Sequence, residues 1–541
     1  MKTGDWRADV LAGATVALVG LPQCLAYATM SGLPPAYGLS TAIVPGLVAA
    51  AAGRSRYVIT GPTNTTGLLV LGALLPFLGT NGLLLPEGLA WLATLTLLCG
   101  LLRILFALGG GAALVRFIPE SVLAGFTIGV GILIAVMQLD EALGLPAVAG
   151  AGLWEEYRGL SGHLAAASPS PLAMSVTMAC IAAVALGRRL WRRLPGALIV
   201  VAAAALAAWA FGLDASSGLP LISDRTSMAG GWPAGALPDL RPQVMGALLL
   251  PAAAIVLLGT LELMVSVRAD DSRPPMRREI VAQGCANIAG AFAAAFPASA
   301  SLTRSALLRF AEPGSRAGAA LAAVMTLPVL LAGAAVIAFI PQAALAGVLF
   351  ITAASMVWHP ALVRMWGASW VSRLLLVATA SSTLVMPLHW AVFVGAGLGM
   401  IIHLARTSTP RVRALTFKDE RLVPADADAA TDVVVLEVSG TVHYAAADPL
   451  IDELNCQLPP AARVVIVDLS HAHELRFTGL RAIEWWAKGL ESRGIELRLA
   501  GVTPEVRDLL EGAGSALSYT EWDPVPGRSA WNSSRQGKGG A

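Results

Sequence analysis

Up to residue 405 the chain is a near-continuous series of apolar segments divided by short polar breaks, too much greasy surface for any water-soluble core. Fourteen segments can be cut, at 10–28, 38–53, 62–76, 88–108, 119–139, 171–187, 196–212, 244–266, 277–296, 301–312, 317–340, 342–357, 371–386 and 388–405. A membrane-crossing helix needs about 20 mainly apolar residues, and fewer where it is broken. Only 13% of the residues are charged and 56% are hydrophobic, against roughly 25% charged in a soluble domain. The sequence predicts an all-α polytopic membrane domain over 1–405.

Loop charge gives an independent orientation, because Lys and Arg accumulate on the cytoplasmic side. With the N-terminus inside, the cytoplasmic turns hold Arg54 and Arg56, Arg116, the "RRLWRR" run at 188–193, "RADDSRPPMRR" at 268–278, Arg309, Arg316 and Arg364. The opposite loops hold only Arg158, Arg225 and Arg241. Both termini are expected to be cytoplasmic, in a multi-pass protein of the inner (plasma) membrane. The first segment superficially resembles a signal peptide, but Asp5 and Asp9 lie in its charged region, so it is read as a retained span.

Composition shifts beyond residue 405. Residues 406–431 read as a linker, 432–523 as a soluble cytosolic α/β domain and 524–541 as a polar, Gly-rich disordered tail. Within the domain, "DVVVLEVSGTV", "ARVVIVDLS" and "IELRLAGV" read as strands, "GLRAIEWWAKGLESRG" as an amphipathic helix, and "TPEVRDLLEGAG" as a helix opened by Thr503. The five cysteines show no metal-ligand or redox spacing and read as small core residues, so no metal or cofactor is expected. A formal net charge of +2 points to neither nucleic acid nor an acidic partner. No Walker loop, zinc spacing or catalytic triad indicates an enzyme.

Two of the apolar segments are short and start alike. "TGPTNTTGLLV" and "AFPASASLTRSALLRF" each begin with a proline and a run of small or hydroxyl residues, and Pro62 and Pro297 stand 235 positions apart. That spacing predicts two halves of seven spans each, with broken spans three and ten at matching places, which is the pattern of a transporter's binding site. Irregular backbone survives in a bilayer only when buried in protein or lining a cavity. Two half-helices meeting near the midplane would aim free N–H groups and positive dipole ends at an anion. Thr63, Asn64, Thr65, Ser301 and Thr303 would add donors there. Arg304 would face the cavity as fixed positive charge, and Glu262, after a long apolar run, would face inward and exchange a proton.

At these residues the sequence resembles the SulP family of anion transporters, over nearly the whole chain. "LPQCLAYATMSGLPPAYGL" resembles the family's LPQGxAYAxxAGLPPxxGLY signature, "GRSRYVITGPTNTTGLL" its GSSRxxxxGPxA stretch, and "SLTRS" the segment with the tenth-span arginine. The C-terminal part resembles a STAS domain. The resemblance implies a fourteen-helix, seven-plus-seven inverted repeat, a core moving against a gate, and a homodimer. It places Gln23 and Tyr27 from span one, Thr63 to Thr65 from span three, and Thr303 with Arg304 from span ten around the anion. Glu262 matches the span-eight acidic position, with Ser266 one turn onward. Some bicarbonate-transporting relatives with Asp there and a hydroxyl one turn on couple to sodium, and Glu favours H+ over Na+. Thr478 occupies the position phosphorylated in soluble regulatory relatives, with Arg476 where Asp is usual, and a cytosolic regulator would act through this domain. The function expected is secondary active transport of a small inorganic oxyanion, sulfate or bicarbonate, by proton symport or anion exchange. The alternatives are a dicarboxylate carrier, a passive anion channel, and a membrane-anchored STAS signalling protein.

Overall fold

The structure is a computed structural model that describes residues 6–79, 82–111, 118–146, 153–166, 168–190, 196–225, 231–268, 270, 274–358, 360–407, 410–418, 421–424, 432–442, 444–473 and 475–519. The predicted tail 524–541, Arg116 and the Arg192–Arg193 end of the basic run lie outside the described residues. The chain forms two compact units, divided between Gly399 and Met400.

The first unit is helical. Its principal helices are α1 (Trp6–Met30), α2 (Pro35–Ala52), α3 (Asn64–Leu74), α4 (Gly88–Leu108), α5 (Glu120–Met137), α6 (Pro171–Leu190), α7 (Gly196–Phe211), α8 (Pro242–Arg268), α9 (Met276–Ala291), α10 (Leu302–Phe310), α11 (Ala317–Ala332), α12 (Gln342–Val357), α13 (Trp370–Val385) and α14 (Leu388–Thr407). Among the described residues, seven helical stretches are long and apolar enough to cross a membrane, and five shorter apolar ones accompany them. The helices α3 and α10 are short because each follows an extended piece of chain. These pieces, β1 (Thr60–Gly61) and β2 (Ser299–Ala300), pair antiparallel, Thr60 opposite Ala300 and Gly61 opposite Ser299.

The packing repeats with a shift of seven helices. Helix α1 packs on α11 as α8 packs on α4, α2 on α11 as α9 on α4, α1 on α10 as α8 on α3, and α6 on α12 as α13 on α5. The β1–β2 register fixes the equivalence of the halves, since a two-fold through the ribbon carries Thr60 onto Ser299 and Gly61 onto Ala300, 239 residues on. The proline spacing of 235 is therefore four residues short. Pro62 follows its strand and Pro297 precedes its own, so the two prolines are not counterparts. Small residues set the closest crossings. A β-carbon on Gly284 of α9 would lie 2.9 Å from the Gly100 carbonyl of α4, so side chains there would force these helices apart. In α14, Gly395 and Gly399 lie against Thr379 and Pro119 in the same way, whereas Gly397 has open space.

The second unit is a mixed sheet with helices. Strands β3 (Arg411–Lys418), β4 (Arg421–Pro424), β5 (Val433–Thr441), β6 (Val464–His473) and β7 (Glu496–Ala500) lie in the order β4-β3-β5-β6-β7. The strands β5, β6 and β7 run parallel, and β3 is antiparallel to both β4 and β5. Residues 411–418 and 421–424, expected as linker, are thus two strands of the sheet. Their alternation of Arg with apolar residues suits an outer hairpin, and the charge disguised it. Helices α15 (Ala447–Cys456), α16 (Phe477–Glu491) and α17 (Pro504–Gly512) complete the unit. Val434, Leu436, Val465, Val467, Leu480 and Ile483 are fully buried in its core. Thr503 caps α17, accepting from the Val506 amide.

Candidate functional site

The site is built around the β1–β2 ribbon. Thr63 is the N-cap of α3 and its hydroxyl accepts from the Thr66 amide; Ser301 is the N-cap of α10 and accepts from the Arg304 amide. Both caps have the extended backbone that such residues favour. The remaining first-turn amides of the two helices have no acceptor inside their own helix. Two helix starts are thereby held side by side, their positive ends at the ribbon.

A buried hydroxyl network joins the halves. Thr63 Oγ1 lies 2.8 Å from Thr66 Oγ1, 3.2 Å from Thr65 Oγ1 and 3.2 Å from Ser299 Oγ. Glu262 of α8 enters this network from the side. Ser299 donates to its Oε2 at 2.5 Å, and the Thr65 hydroxyl donates to its Oε1. Both oxygens of a carboxylate that is only 5% exposed thus accept from hydroxyls of opposite halves.

Arg304 takes the other side. It is 4% exposed, and its Nη2 donates to the Pro62 carbonyl at 2.6 Å, while Nη1 lies 3.4 Å from Cys24 Sγ on α1. Two glycines make room for it. A β-carbon on Gly61 would stand 3.0 Å from Nη1, and one on Gly20 would stand 3.1 Å from Cδ. Arg304 is not Glu262's partner, since each points to a different flank of the ribbon. A cavity of about 20 Å³, enough for a water molecule, lies beside Arg304 and is lined by Gly20, Cys24, Thr60 and Thr326.

Of the other predicted residues, Gln23 and Tyr27 lie on the buried length of α1, and Gln23 Oε1 is a buried oxygen with no partner among the described residues. Thr303 is exposed at the first turn of α10, with its hydroxyl 3.4 Å from that of Ser301. Asn64 turns away, donating to Met356 Sδ on α12 at 2.8 Å. Ser266 is buried, but its hydroxyl is outside the network and unpartnered. In the second unit Thr478 is exposed in the first turn of α16.

Sequence reasoning missed Ser299, Thr66 and Arg103. Ser299 needed the strand register to be seen. Arg103 did not, because a lone charge inside "LTLLCGLLRILFAL" is itself a signal. Its guanidinium is 1% exposed, and Nη1 donates to the Ala298 carbonyl at 3.0 Å and to Gln283 Oε1.

Opposed helix starts, a two-fold repeat, two buried arginines and a buried carboxylate define a polytopic membrane protein with a central polar site. Comparison places it more narrowly. The sulfate permease family profile matches residues 6–379 and the STAS domain profile residues 425–518, and the chain belongs to the sulfate permease family. A protein of Mycobacterium tuberculosis named as a probable sulfate transporter is 27% identical over 527 residues, covering 94% of this chain and 91% of the relative. The bicarbonate transporter BicA of a Picosynechococcus species is 24% identical over 520 residues, covering 93% and 90%. The fold is shared with the murine Solute Carrier 26 family member A9 anion transporter in its inward-facing state, at a TM-score of 0.80, 16% identity, and coverage of 95% and 88%.

Proposed function

We propose that this protein is a secondary active transporter of a small inorganic oxyanion, sulfate or bicarbonate, working by proton symport or anion exchange. The observation that carries this reading is the ribbon itself, which holds two helix N-termini together with Arg304 on one flank and Glu262 on the other. Helix starts and a guanidinium attract an anion, and a buried carboxylate can take up and release a proton. Ser301 and Thr303 offer hydroxyl donors to the anion, Thr63 and Thr65 tie the same site to Glu262, and Gln23 and Tyr27 border it from α1. The two-fold packing repeat, shifted by seven helices, supports alternating access, with one bundle rocking against the other around the fixed site. The names of the relatives support the choice of anion.

Fourteen spans, both termini cytoplasmic, a place in the plasma membrane and a homodimer belong to the same reading. The STAS unit serves a cytosolic regulator, and Thr478 is a site of phosphorylation. Its exposed place in the first turn of α16 favours an added phosphate. The test is uptake of radiolabelled sulfate, bicarbonate and dicarboxylate into proteoliposomes under imposed proton or sodium gradients. Accumulation of sulfate or bicarbonate driven by the proton gradient is expected. Binding without accumulation would move the protein to the signalling class, and flux unchanged by Glu262→Gln at every pH would make it a passive channel.

A further inference from the structure

Arg103 is a cation buried in mid-helix whose place the hydroxyl network alone does not explain. Its Nε and Nη2 have no partner among the described residues, although the residue is almost wholly buried. A buried charge is costly unless it is paired or put to use. The guanidinium is pressed onto Gly259, where a β-carbon would stand 2.0 Å from Nη2 and 3.0 Å from Ser299 Cβ. Gly259 is one turn before Glu262 on α8, and Ser299 is the residue that donates to the Glu262 carboxylate. Arg103 is therefore close to the acid without bonding to it directly, and opposite charges at short range in a dry interior attract each other.

The two-fold makes the arrangement informative. Gly20 and Gly259 are counterparts 239 residues apart, and so are Gln23 and Glu262. An arginine lies over each glycine, Arg304 from α10 in one half and Arg103 from α4 in the other. The α1 position equivalent to Glu262 holds a neutral amide, Gln23, whereas near Arg103 the α8 position holds an acid. One lobe carries a net positive charge, and the other is neutral while Glu262 is ionised.

Other charges around Glu262 are already engaged or turned away. Helix α8 packs against α3, α4, α9, α10 and β2. The charged or titratable side chains of α3 and β2 are none; α4 offers Arg103 and Cys99. On α9, Glu279 accepts from the Arg54 and Ser55 amides, Arg278 donates to the Ala52 carbonyl, Arg277 is exposed and Cys285 is half-buried. On α10, Arg304 is committed to Pro62 and Cys24, and Arg309 is in the last turn.

We propose that Arg103 is the internal counter-charge of Glu262 and couples the proton to the anion: a proton taken up by Glu262 leaves the charge of Arg103 uncompensated at the ribbon, where it strengthens anion binding. This rests on the proton-coupled reading above. Arg103 acts through Glu262 and the local field, as a positioning residue. No bond changes except the O–H bond formed as the carboxylate takes its proton.

The test is equilibrium binding of radiolabelled sulfate, whose charge is constant over the range, to the full-length protein between about pH 8 and about pH 5.5, with an expected tightening on the order of tenfold in the wild type. Glu262→Gln should bind sulfate at the alkaline end as tightly as the wild type does at the acidic end, with no slope. Arg103→Gln should bind weakly with no slope, and Arg103→Lys should restore the slope. Retention of the wild-type slope in a folded Arg103→Gln protein overturns the proposal. So does a Glu262→Gln protein that binds no better than alkaline wild type, a result that stands even where Arg103→Gln fails to fold. A flat wild type, by contrast, removes the proton-coupled reading itself.

Discussion

On α1 the residue one turn beyond Gly20 is Gln23, whereas on α8 the residue one turn beyond Gly259 is Glu262, and the arginines over these two glycines come from helices, α10 and α4, that are not two-fold counterparts. Each half supplies a glycine overlaid by an arginine of the other half, a two-residue strand, and a hydroxyl N-cap opening a short helix. The caps, Thr63 and Ser301, perform the same local task, yet their surroundings diverge. Thr63 sits among three other hydroxyls, two of which donate to a carboxylate, while Ser301 has the exposed Thr303 and the buried Arg304 beside it. The lesson is that a symmetric frame gives two anion-attracting helix ends, and side-chain differences then divide their labour. The flank with Arg304 suits the anion, and the flank with Glu262 suits the proton.

The strongest way to break this division is Arg304→Ala. It removes the charge of the anion flank, and the loss of a charge-assisted contact of about 1.5–3 kcal/mol predicts sulfate binding weakened by roughly 10- to 150-fold. Retained affinity by isothermal titration would take the central role from Arg304. Next comes Gln23→Glu, which copies the acid of α8 into α1 and tends to neutralise Arg304. Sulfate binding should weaken by about tenfold near neutral pH and recover on acidification. Unchanged binding would show that the two flanks are not electrically distinct.

Glycine exchanges sharpen the comparison through packing. Gly259→Ala must displace Arg103 from 2.0 Å, so it should lower thermal stability by the 1–3 kcal/mol typical (~) of overpacking. Gly20→Ala meets only the flexible stem of Arg304 at 3.1 Å and should cost less, visible in sulfate affinity before it is visible in melting. Smallest of all should be Thr303→Ala, within about twofold in uptake, since its exposed hydroxyl is one donor among several at the start of α10 and among the described residues meets Ser301 alone, at 3.4 Å.

How much of this was legible follows from where the signals lie along the chain. Helices on the apolar segments, the capping threonine and serine, Glu262 and Arg304 are local features, written in hydropathy and in the cost of a charge among apolar residues. Pairings across the two halves are not local. Ser299 looks like one more small residue in "PASASLTRS" until β2 is set against β1. The repeat offset was misjudged for the same reason, because prolines mark breaks in helices without marking register. Arg304 and Glu262 were both foreseen as inward-facing, but sequence could not tell that the ribbon lies between them. The β3–β4 hairpin was hidden differently, its alternation masked by arginines and by the short spacing of its strands.

The most direct measurement is sulfate accumulation in proteoliposomes containing the full-length protein, with an inward proton gradient imposed and then collapsed. The account predicts uptake above equilibrium while the gradient lasts, abolished in Arg304→Ala, and no longer driven by the gradient in Glu262→Gln. Accumulation by folded Glu262→Gln that still follows the proton gradient would contradict it.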